Sequence, residues 1–341
     1  MAVLPLNAIA IHRPGDRLAV VDMGTNVFGL AVGTLTNTGS PYWIHRAELE
    51  VGLASEGFGF LTEAGQKRAE AALQHHLQIA LDHEATALYG FGTEALRQWD
   101  QAPEWLQRTA STLHHNLPHQ QRIPIKLSII PGALEAEWIR YGLQRSGLLE
   151  DGPVLINDIG GGSVELVLCH GPKTYLARSL PLGMRKLLQQ FPIRTIPQHP
   201  KETPTLTDKA VSYHIAFEQC YDFLLQEFQE HLGQALSQTQ ALRILGTAGP
   251  YRTLDQWTRA YYFEKNQASA LISRDQCAAF GDAATMRLQG IYPPLHPLPT
   301  DAVVHASALM LALSDACGGI PIQTTELSMR EGALLTLFHQ D

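Results

Sequence analysis

Asp158-Ile159-Gly160-Gly161-Gly162-Ser163 is the stretch that decides the fold of this 341-residue chain. The mostly apolar residues 154–157 before it and 164–168 after it are typical of buried strands. Three consecutive glycines at such a turn allow the backbone to approach a ligand with its amide groups turned inward. A tight hairpin, in which the glycines only supply positive φ angles, is the other interpretation of this stretch taken alone.

The same pattern occurs once more, earlier in the chain, at Asp22-Met23-Gly24-Thr25-Asn26. Sliding the sequence onto itself so that Asp22 meets Asp158 also places Gly24 on Gly160 and Leu30 on Leu166. Both copies consist of an apolar strand, an aspartate, an apolar residue, a glycine, a short turn and another apolar strand. Internal repetition of this kind indicates a duplicated folding unit. The sequence therefore predicts an α/β protein of two related lobes with a cleft between them.

Strands and helices alternate around each copy, as they do in an α/β sheet. Apolar runs predict strands at 18–22, 28–35, 43–53, 86–92, 125–130, 154–158, 163–168, 174–180 and 242–245. Helical spacing of apolar residues predicts helices at 63–81, 94–114, 134–144, 207–236 and through most of the remaining chain. We place the boundary at Pro131-Gly132, so that residues 1–131, joined by the segment 325–341, form the first lobe and residues 132–324 the second.

The composition excludes several classes of protein. The net charge is −8 with lysines and arginines scattered, which predicts no nucleic-acid or anionic membrane surface. No apolar run reaches the roughly 18 residues of a membrane span, and 302–313 is interpreted as a core helix. The four cysteines lie far apart, which argues against a zinc site or a disulfide framework. We expect a cytoplasmic protein with reduced thiols and a small anionic ligand; whether it forms a homodimer is left open.

The residues of the three loops point to phosphate chemistry. Asp158, at a strand end, can hold Mg²⁺ or a water, and Ser163 can donate its hydroxyl to a phosphoryl oxygen. Asp22 and Asp158, on matching loops, can face one bound metal and phosphate, as phosphoryl transfer requires. A third loop, Gly246-Thr247-Ala248-Gly249, opens a helix, so its amides can bind another phosphate or a nucleotide. An ordinary strand-to-helix turn is the alternative for that loop.

Several blocks of the sequence, in order, resemble the exopolyphosphatase/guanosine pentaphosphate phosphatase family (Ppx/GppA). The blocks are Asp22–Asn26, Gly92–Arg97, Ile130–Gly132 with Glu135-Ala136, Asp158–Glu165, Leu180–Gly183, Gly246–Gly249 and Arg330–Gly332. The resemblance extends from Leu18 to Leu337 and is to the short family members, without a helical C-terminal extension. It implies two actin-like lobes, each a ribonuclease H-like unit.

The resemblance also implies an activity and a site. The activity is hydrolysis of a terminal phosphoanhydride of inorganic polyphosphate or guanosine pentaphosphate, without a covalent intermediate. Glu135 is then the base that activates water, and Arg97 clamps the phosphate. Asp22, Asp158 and Glu165 become the carboxylates for Mg²⁺ or Mn²⁺. The phosphate-binding loops fall on Gly24, Thr25, Asn26, Gly160, Gly161, Gly162, Ser163, Gly246 and Thr247.

The chain departs from the family motif at three positions. Val27 and Gly29 stand where the family has Ser or Thr and then Arg or His, and Pro250 replaces a common Thr. Two polar phosphate contacts are missing, so Val27→Thr and Gly29→Arg are expected to tighten polyphosphate binding. Two alternatives stay open: a sensor that binds polyphosphate or an alarmone with weak catalysis, and a kinase of the same superfold that transfers the phosphoryl group to an alcohol.

Overall fold

A computed structural model describes residues 12–193, 206–237, 239, 242–262, 271–288 and 300–338. These residues fold into two compact units, each built on one mixed sheet. Of the described residues, 12–148, 160–165 and 327–338 form the first unit, and 149–159 with the described part of 166–326 form the second. The predicted α/β class is confirmed.

The first sheet has five strands in the order β3-β2-β1-β4-β5. β1 (Leu18–Met23), β2 (Val27–Leu35) and β3 (Pro41–Glu50) form an antiparallel meander. β4 (Ala87–Gly92) and β5 (Ile125–Ile129) extend it in parallel on the side of β1. A meander followed by parallel strands is the arrangement of a ribonuclease H-like unit, which the family resemblance implies.

The central strand β1 is buried on both faces, which explains its continuous apolar sequence. On one face, Ala19, Val21 and Met23 pack in a hydrophobic core with α1 (Glu63–Asp82) and α3 (Ala102–Asn116). α10 (Met329–Leu337) packs against β1 and β2 as well. α1 begins where the Thr62 hydroxyl accepts a hydrogen bond from the Gly65 amide, 3.1 Å away, which is a standard N-cap.

The helix predicted over 94–114 is in fact two helices. α2 spans Glu94–Arg97, and α3 begins at Ala102. Pro103 lies in the first turn of α3 and has no N–H to donate to the Trp99 carbonyl, so one continuous helix through this point is disfavoured. The break leaves α2 as a single turn directly after β4.

Helix α4 (Gly132–Arg145) lies in the first unit, where it packs against α10. Gly142 and Gly332 allow this close approach, because a Cβ atom added at Gly142 would lie 3.0 Å from the Gly332 amide nitrogen. The predicted boundary at 131 assigned this helix to the other lobe, whereas the described first unit continues to Leu148 and takes in the C-terminal segment from Leu327.

The second sheet has six strands in the order β10-β11-β9-β6-β7-β8. These strands are β6 (Val154–Ile159), β7 (Val164–His170), β8 (Lys173–Leu180), β9 (Arg243–Thr247), β10 (Leu271–Ile272) and β11 (Ile322–Thr324). β6 occupies the same place in the duplicated pattern as β1, from its first residue to its last. The sequence interpretation missed β10 and β11, since two and three residues are too few to show a period.

The helices of the second unit complete its core. They are α5 (Met184–Gln190), α6 (Leu206–Leu236), α7 (Gly249–Tyr262), α8 (Arg274–Leu288) and α9 (Thr300–Ala316). α9 packs against both α6 and α8, and its residues 302–313 are buried, so the predicted core helix is confirmed. No helix in the described ranges is long and apolar enough to cross a membrane. Burial raises the pKa of the Cys220 and Cys277 thiols to about 12.

Candidate active site

The two duplicated loops close with the same hydrogen bond. In the first loop, the Gly24 amide donates to the Val27 carbonyl at 3.1 Å. In the second loop, the Gly160 amide donates to the Ser163 carbonyl at 3.0 Å. A Cβ atom added at Gly24 would lie 2.7 Å from that Val27 oxygen, so the turn itself requires this glycine. The repetition seen in the sequence therefore extends to the backbone geometry.

The glycines of the second loop make room for the first loop. None of Gly160, Gly161 and Gly162 has a positive φ, so the interpretation in which they only supply such angles is wrong. A Cβ atom added at Gly161 would lie 2.8 Å from Asn26 Nδ2, and one at Gly162 would lie 2.6 Å from Thr25 Oγ1. Residues 160–165 belong to the first unit. The two loops are thus in direct contact within that unit.

Glu135 and Arg97 form a nearly buried ion pair. Arg97 Nη1 donates to Glu135 Oε2 at 2.7 Å and to the Ile130 carbonyl at 3.1 Å. The side chains are 10% and 14% exposed, respectively. Pro131 precedes α4, so Glu135 falls in the first turn of the helix, where the helix dipole favours a carboxylate. The candidate base and the candidate phosphate clamp are therefore neighbours.

A third residue, Glu94, completes this cluster and was missed in the sequence. Arg97 donates to Glu94 Oε2 from Nε at 3.2 Å and from Nη2 at 3.1 Å. A Cβ atom added at Gly162 would lie 2.8 Å from Glu94 Cγ, so Glu94 also contacts the glycine loop. The signal was present as a glutamate three residues before an arginine on a predicted helix, a spacing at which the two side chains meet.

The charged residues of this cluster shift one another's pKa values. Burial raises the pKa of Glu135; Arg97 opposes that shift without outweighing it, and Glu94 adds to it. Burial acts to lower the pKa of Arg97, but Glu135, Glu94 and Glu165 together raise it. Glu165 is itself 2% exposed. Arg97 therefore stays charged, while Glu135 is a stronger base than an ordinary glutamate, which suits general-base catalysis.

Asp22 is the next-to-last residue of strand β1 and is half-buried. It pairs across the sheet with Gly29, whose missing side chain leaves space for Arg330. A Cβ atom at position 29 would overlap Arg330 Nη1. An arginine at position 29 would have to displace the Arg330 guanidinium, so Gly29→Arg can tighten substrate binding only if Arg330 moves away. Val27 is 38% exposed, so Val27→Thr stays a prediction.

The remaining predicted residues lie in the second unit. Asp158 is 8% exposed and pairs with Thr247 across β6 and β9. Thr247 is completely buried, so its hydroxyl does not face solvent. Gly246 is required by packing, because a Cβ atom there would overlap the ring of Tyr251, whose hydroxyl donates to Asn157 Oδ1 at 2.5 Å. Phosphate binding by Gly246 and Thr247 stays a prediction.

Ala248, in the same loop, adopts a φ of 76°, a backbone angle that is unfavourable for residues with a Cβ atom. We predict that Ala248→Gly stabilises the protein by roughly 0.5 to 1 kcal/mol, since relief of this strain exceeds the added entropy of glycine in the unfolded chain. The midpoint of thermal unfolding should rise accordingly. A lower midpoint would mean that the alanine methyl contributes packing that outweighs the strain.

The described residues include carboxylate oxygens that could bind a metal ion, but not a complete set of protein ligands around one. No group of three or more His, Cys, Asp or Glu side chains among them is arranged to hold a metal ion. Mg²⁺ is usually held by one or two carboxylates together with substrate phosphates and water. Asp22 and Glu165 in the first unit and Asp158 in the second each carry a carboxylate of the kind that such binding uses, and their role as metal ligands stays a prediction.

Comparison with known proteins gives consistent matches. The model of the Ppx/GppA phosphatase family matches residues 38–340. Exopolyphosphatase 1 of Mycobacterium tuberculosis is 25% identical over 177 residues, which cover 51% of this chain and 48% of that protein. The chain thus matches about half the length of such curated relatives.

Two solved structures resemble the whole described chain. The crystal structure of an exopolyphosphatase from Cytophaga hutchinsonii has a TM-score of 0.74 and 25% identity, and covers 94% of this chain and 97% of that one. The Ppx/GppA family member of Aquifex aeolicus has a TM-score of 0.65 and 18% identity over the same shares, which supports the fold alone.

Proposed function

Because the chain belongs to the Ppx/GppA phosphatase family, we propose that it hydrolyses a terminal phosphoanhydride and releases orthophosphate. The observation that carries this proposal is the Arg97–Glu135 pair, in which a buried carboxylate of raised pKa lies 2.7 Å from a clamped guanidinium. Inorganic polyphosphate is the proposed substrate, since the Mycobacterium and Cytophaga relatives are named exopolyphosphatases. Guanosine pentaphosphate is the alternative substrate.

In the proposed mechanism, Glu135 accepts a proton from a water molecule as that water attacks the terminal phosphorus. The new bond joins the water oxygen to phosphorus, and the bond from phosphorus to the bridging oxygen breaks, so that the shortened chain leaves with that oxygen. Arg97 donates hydrogen bonds to the terminal phosphate and stabilises its charge. Glu94 keeps the guanidinium in place through Nε and Nη2 while Nη1 faces Glu135.

Mg²⁺ or Mn²⁺, when bound, supplies neutralisation of charge on the phosphate oxygens. Asp22, Asp158 and Glu165 are the proposed ligands, because carboxylate oxygens are the donors that these ions prefer. The amide groups of Gly161 to Ser163 and of Thr25 and Asn26, with the side chains of Asn26 and Ser163, are proposed to bind phosphate, while the Gly24 and Gly160 amides close the two loops.

We predict that chelation removes activity and that Mg²⁺ or Mn²⁺ restores it. Without a cation, the carboxylates and the polyanionic substrate repel each other, so the loss should be about 10²-fold or more. Orthophosphate release would be measured in excess chelator and after readdition of each ion, with the metal content of the protein determined. Full activity in metal-free protein would contradict the prediction.

The raised pKa of Glu135 predicts an unusual pH dependence. As the base must be ionised, kcat/KM should fall as the pH drops through the Glu135 pKa, which lies above the 4.5 of an ordinary glutamate. Glu94→Gln should move this acid limb to lower pH, because the negative charge of Glu94 helps to raise that pKa. Profiles of both proteins would be compared, with Glu104→Gln, on helix α3, as the control. If the acid limb of the kcat/KM profile does not move, the charge of Glu94 does not affect the group that titrates.

The same assay separates the three candidate functions. Purified protein would be incubated with a divalent ion and with polyphosphate, tripolyphosphate, guanosine pentaphosphate or ATP, and orthophosphate release would be counted. Release into water supports the hydrolase. Saturable binding without release would favour the sensor, and ATP-dependent transfer to an alcohol would favour the kinase.

A further inference from the structure

Three strands of the first sheet bring residues 22, 29 and 48 into one row. Asp22 on β1 pairs with Gly29 on β2, and Gly29 pairs in turn with Glu48 on β3. Residues directly opposite each other in antiparallel strands project from the same face of the sheet. Two carboxylates therefore flank a position that has no side chain.

The guanidinium of Arg330, from helix α10, fills this gap. Arg330 Nη1 lies 2.9 Å from Glu48 Oε1. A Cβ atom built at Gly29 would overlap Arg330 Nη1 and lie 3.3 Å from Arg330 Cζ. The Arg330 side chain is only 6% exposed. Glycine at position 29 is thus what lets a cation reach the strand next to Asp22.

A second ionic contact holds the Nε end of the Arg330 guanidinium. Glu331 is completely buried; its carboxylate lies 2.9 Å from Arg46 Nε and 3.4 Å from Arg330 Nε, and it accepts a hydrogen bond from the Ser328 amide at 2.8 Å. This last bond forms half of a capping box at the start of α10. The guanidinium is therefore held on two sides and cannot swing freely.

The neighbouring acids keep Arg330 charged. Burial acts to lower its pKa, but Glu331, Glu48 and Asp22 together raise it above the ordinary value. Asp22 is the residue of this set that lies one residue before the end of β1, where the chain enters the first loop. A permanent positive charge therefore stands within electrostatic reach of a proposed metal and phosphate residue.

We propose that Arg330 is a positioning residue of the first loop, a fixed cation that orients the Asp22 carboxylate and offsets its repulsion of a polyanionic substrate, and that Gly29 serves to admit it. The inference rests on the proposed function only in taking a phosphate chain as the ligand. A purely structural ion pair under α10 is the competing explanation, and it predicts lost stability with unchanged ligand affinity.

The test compares removal and displacement of the same charge in the full chain. Arg330→Met removes the charge, Gly29→Ala pushes the guanidinium away with one methyl group, and Arg330→Lys keeps the charge without the planar fork. Inorganic tripolyphosphate is the probe, with Mg²⁺ present. Calorimetry would measure its Kd, steady-state orthophosphate release would measure KM and kcat, and thermal unfolding would measure Tm.

We expect Arg330→Met and Gly29→Ala each to raise Kd and KM by about tenfold, the usual worth of one interaction with a charged group, with kcat much less affected. The double variant should be no worse than Arg330→Met alone, because both changes act on one interaction. Arg330→Lys should recover part of the affinity. Gly33→Ala, on the same strand and face, is the control: its Cβ would meet Trp43 at 3.1 Å, so Tm should fall while Kd stays unchanged.

Each result decides the inference. If Gly29→Ala folds and binds tripolyphosphate like the wild type, the ion pair is structural and the inference is overturned, even if Arg330→Met does not fold. If effects in the double variant are additive, Gly29 does not act through Arg330, which overturns the coupling. Wild-type binding without orthophosphate release would end the hydrolase proposal but leave the Kd comparison decisive. If the wild type does not bind tripolyphosphate, both the hydrolase proposal and the inference about Arg330 are overturned.

Discussion

Glu135→Gln is expected to lower kcat by about 10²- to 10⁴-fold, the usual contribution of a positioned general base. The amide is nearly the same size as the carboxylate, and its oxygen can still accept the hydrogen bond from Arg97 Nη1. It cannot accept a proton from water, however. Folding and substrate affinity should therefore stay close to those of the wild type, while turnover is lost.

Glu137→Gln is the matched control for this change. Glu137 lies two residues further along the same helix, is 46% exposed and pairs with Arg140, outside the Arg97 cluster. Its replacement should leave kcat within experimental error. Single-turnover orthophosphate release, with circular dichroism to confirm folding, would compare the two variants. A Glu135→Gln protein that turns over like the wild type would remove Glu135 from the mechanism.

The second large effect concerns stability and the crossing of α4 and α10. We expect Gly332→Ala to lower the free energy of unfolding by about 3 kcal/mol, at the upper end for overpacking. A Cβ atom at Gly332 would overlap the Trp138 carbonyl oxygen, and backbone atoms inside a helix cannot turn away as a side chain can. The two helices would have to separate, which also disturbs Arg330, two residues before the glycine.

Gly233→Ala provides the contrast, because a Cβ atom there meets nothing within 4 Å in helix α6. Alanine at an open helical position should stabilise the protein by roughly 0.5 to 1 kcal/mol. Urea unfolding of both variants would measure the difference. Equal stability of Gly332→Ala and the wild type would show that α4 and α10 do not pack as closely as the structure has them.

Much of the first unit could be predicted from local pattern. The apolar run of β1 and its copy in β6 identify two central strands, because only a strand buried on both faces is apolar throughout. The predicted helix over 63–81 ends one residue short of α1. By contrast, β10 and β11 are too short to show any period. The prediction of one helix over 94–114 did not take into account that Pro103 has no N–H to donate inside a helix.

The sequence by itself determined the duplicated loops and the two α/β lobes, because these depend on residue type and on a repeated pattern, whereas Glu135 and Arg97 became candidates only through the resemblance to a known family. Only the tertiary structure showed which neighbouring side chains require glycine at positions 29 and 162. Gly162 faces Thr25 and Glu94, and Gly29 faces Arg330, although each pair is distant in the chain. Space around a backbone atom is set by side chains that arrive from other elements, and no local period records which side chain arrives. At position 29, the side chain that arrives is Arg330 from helix α10.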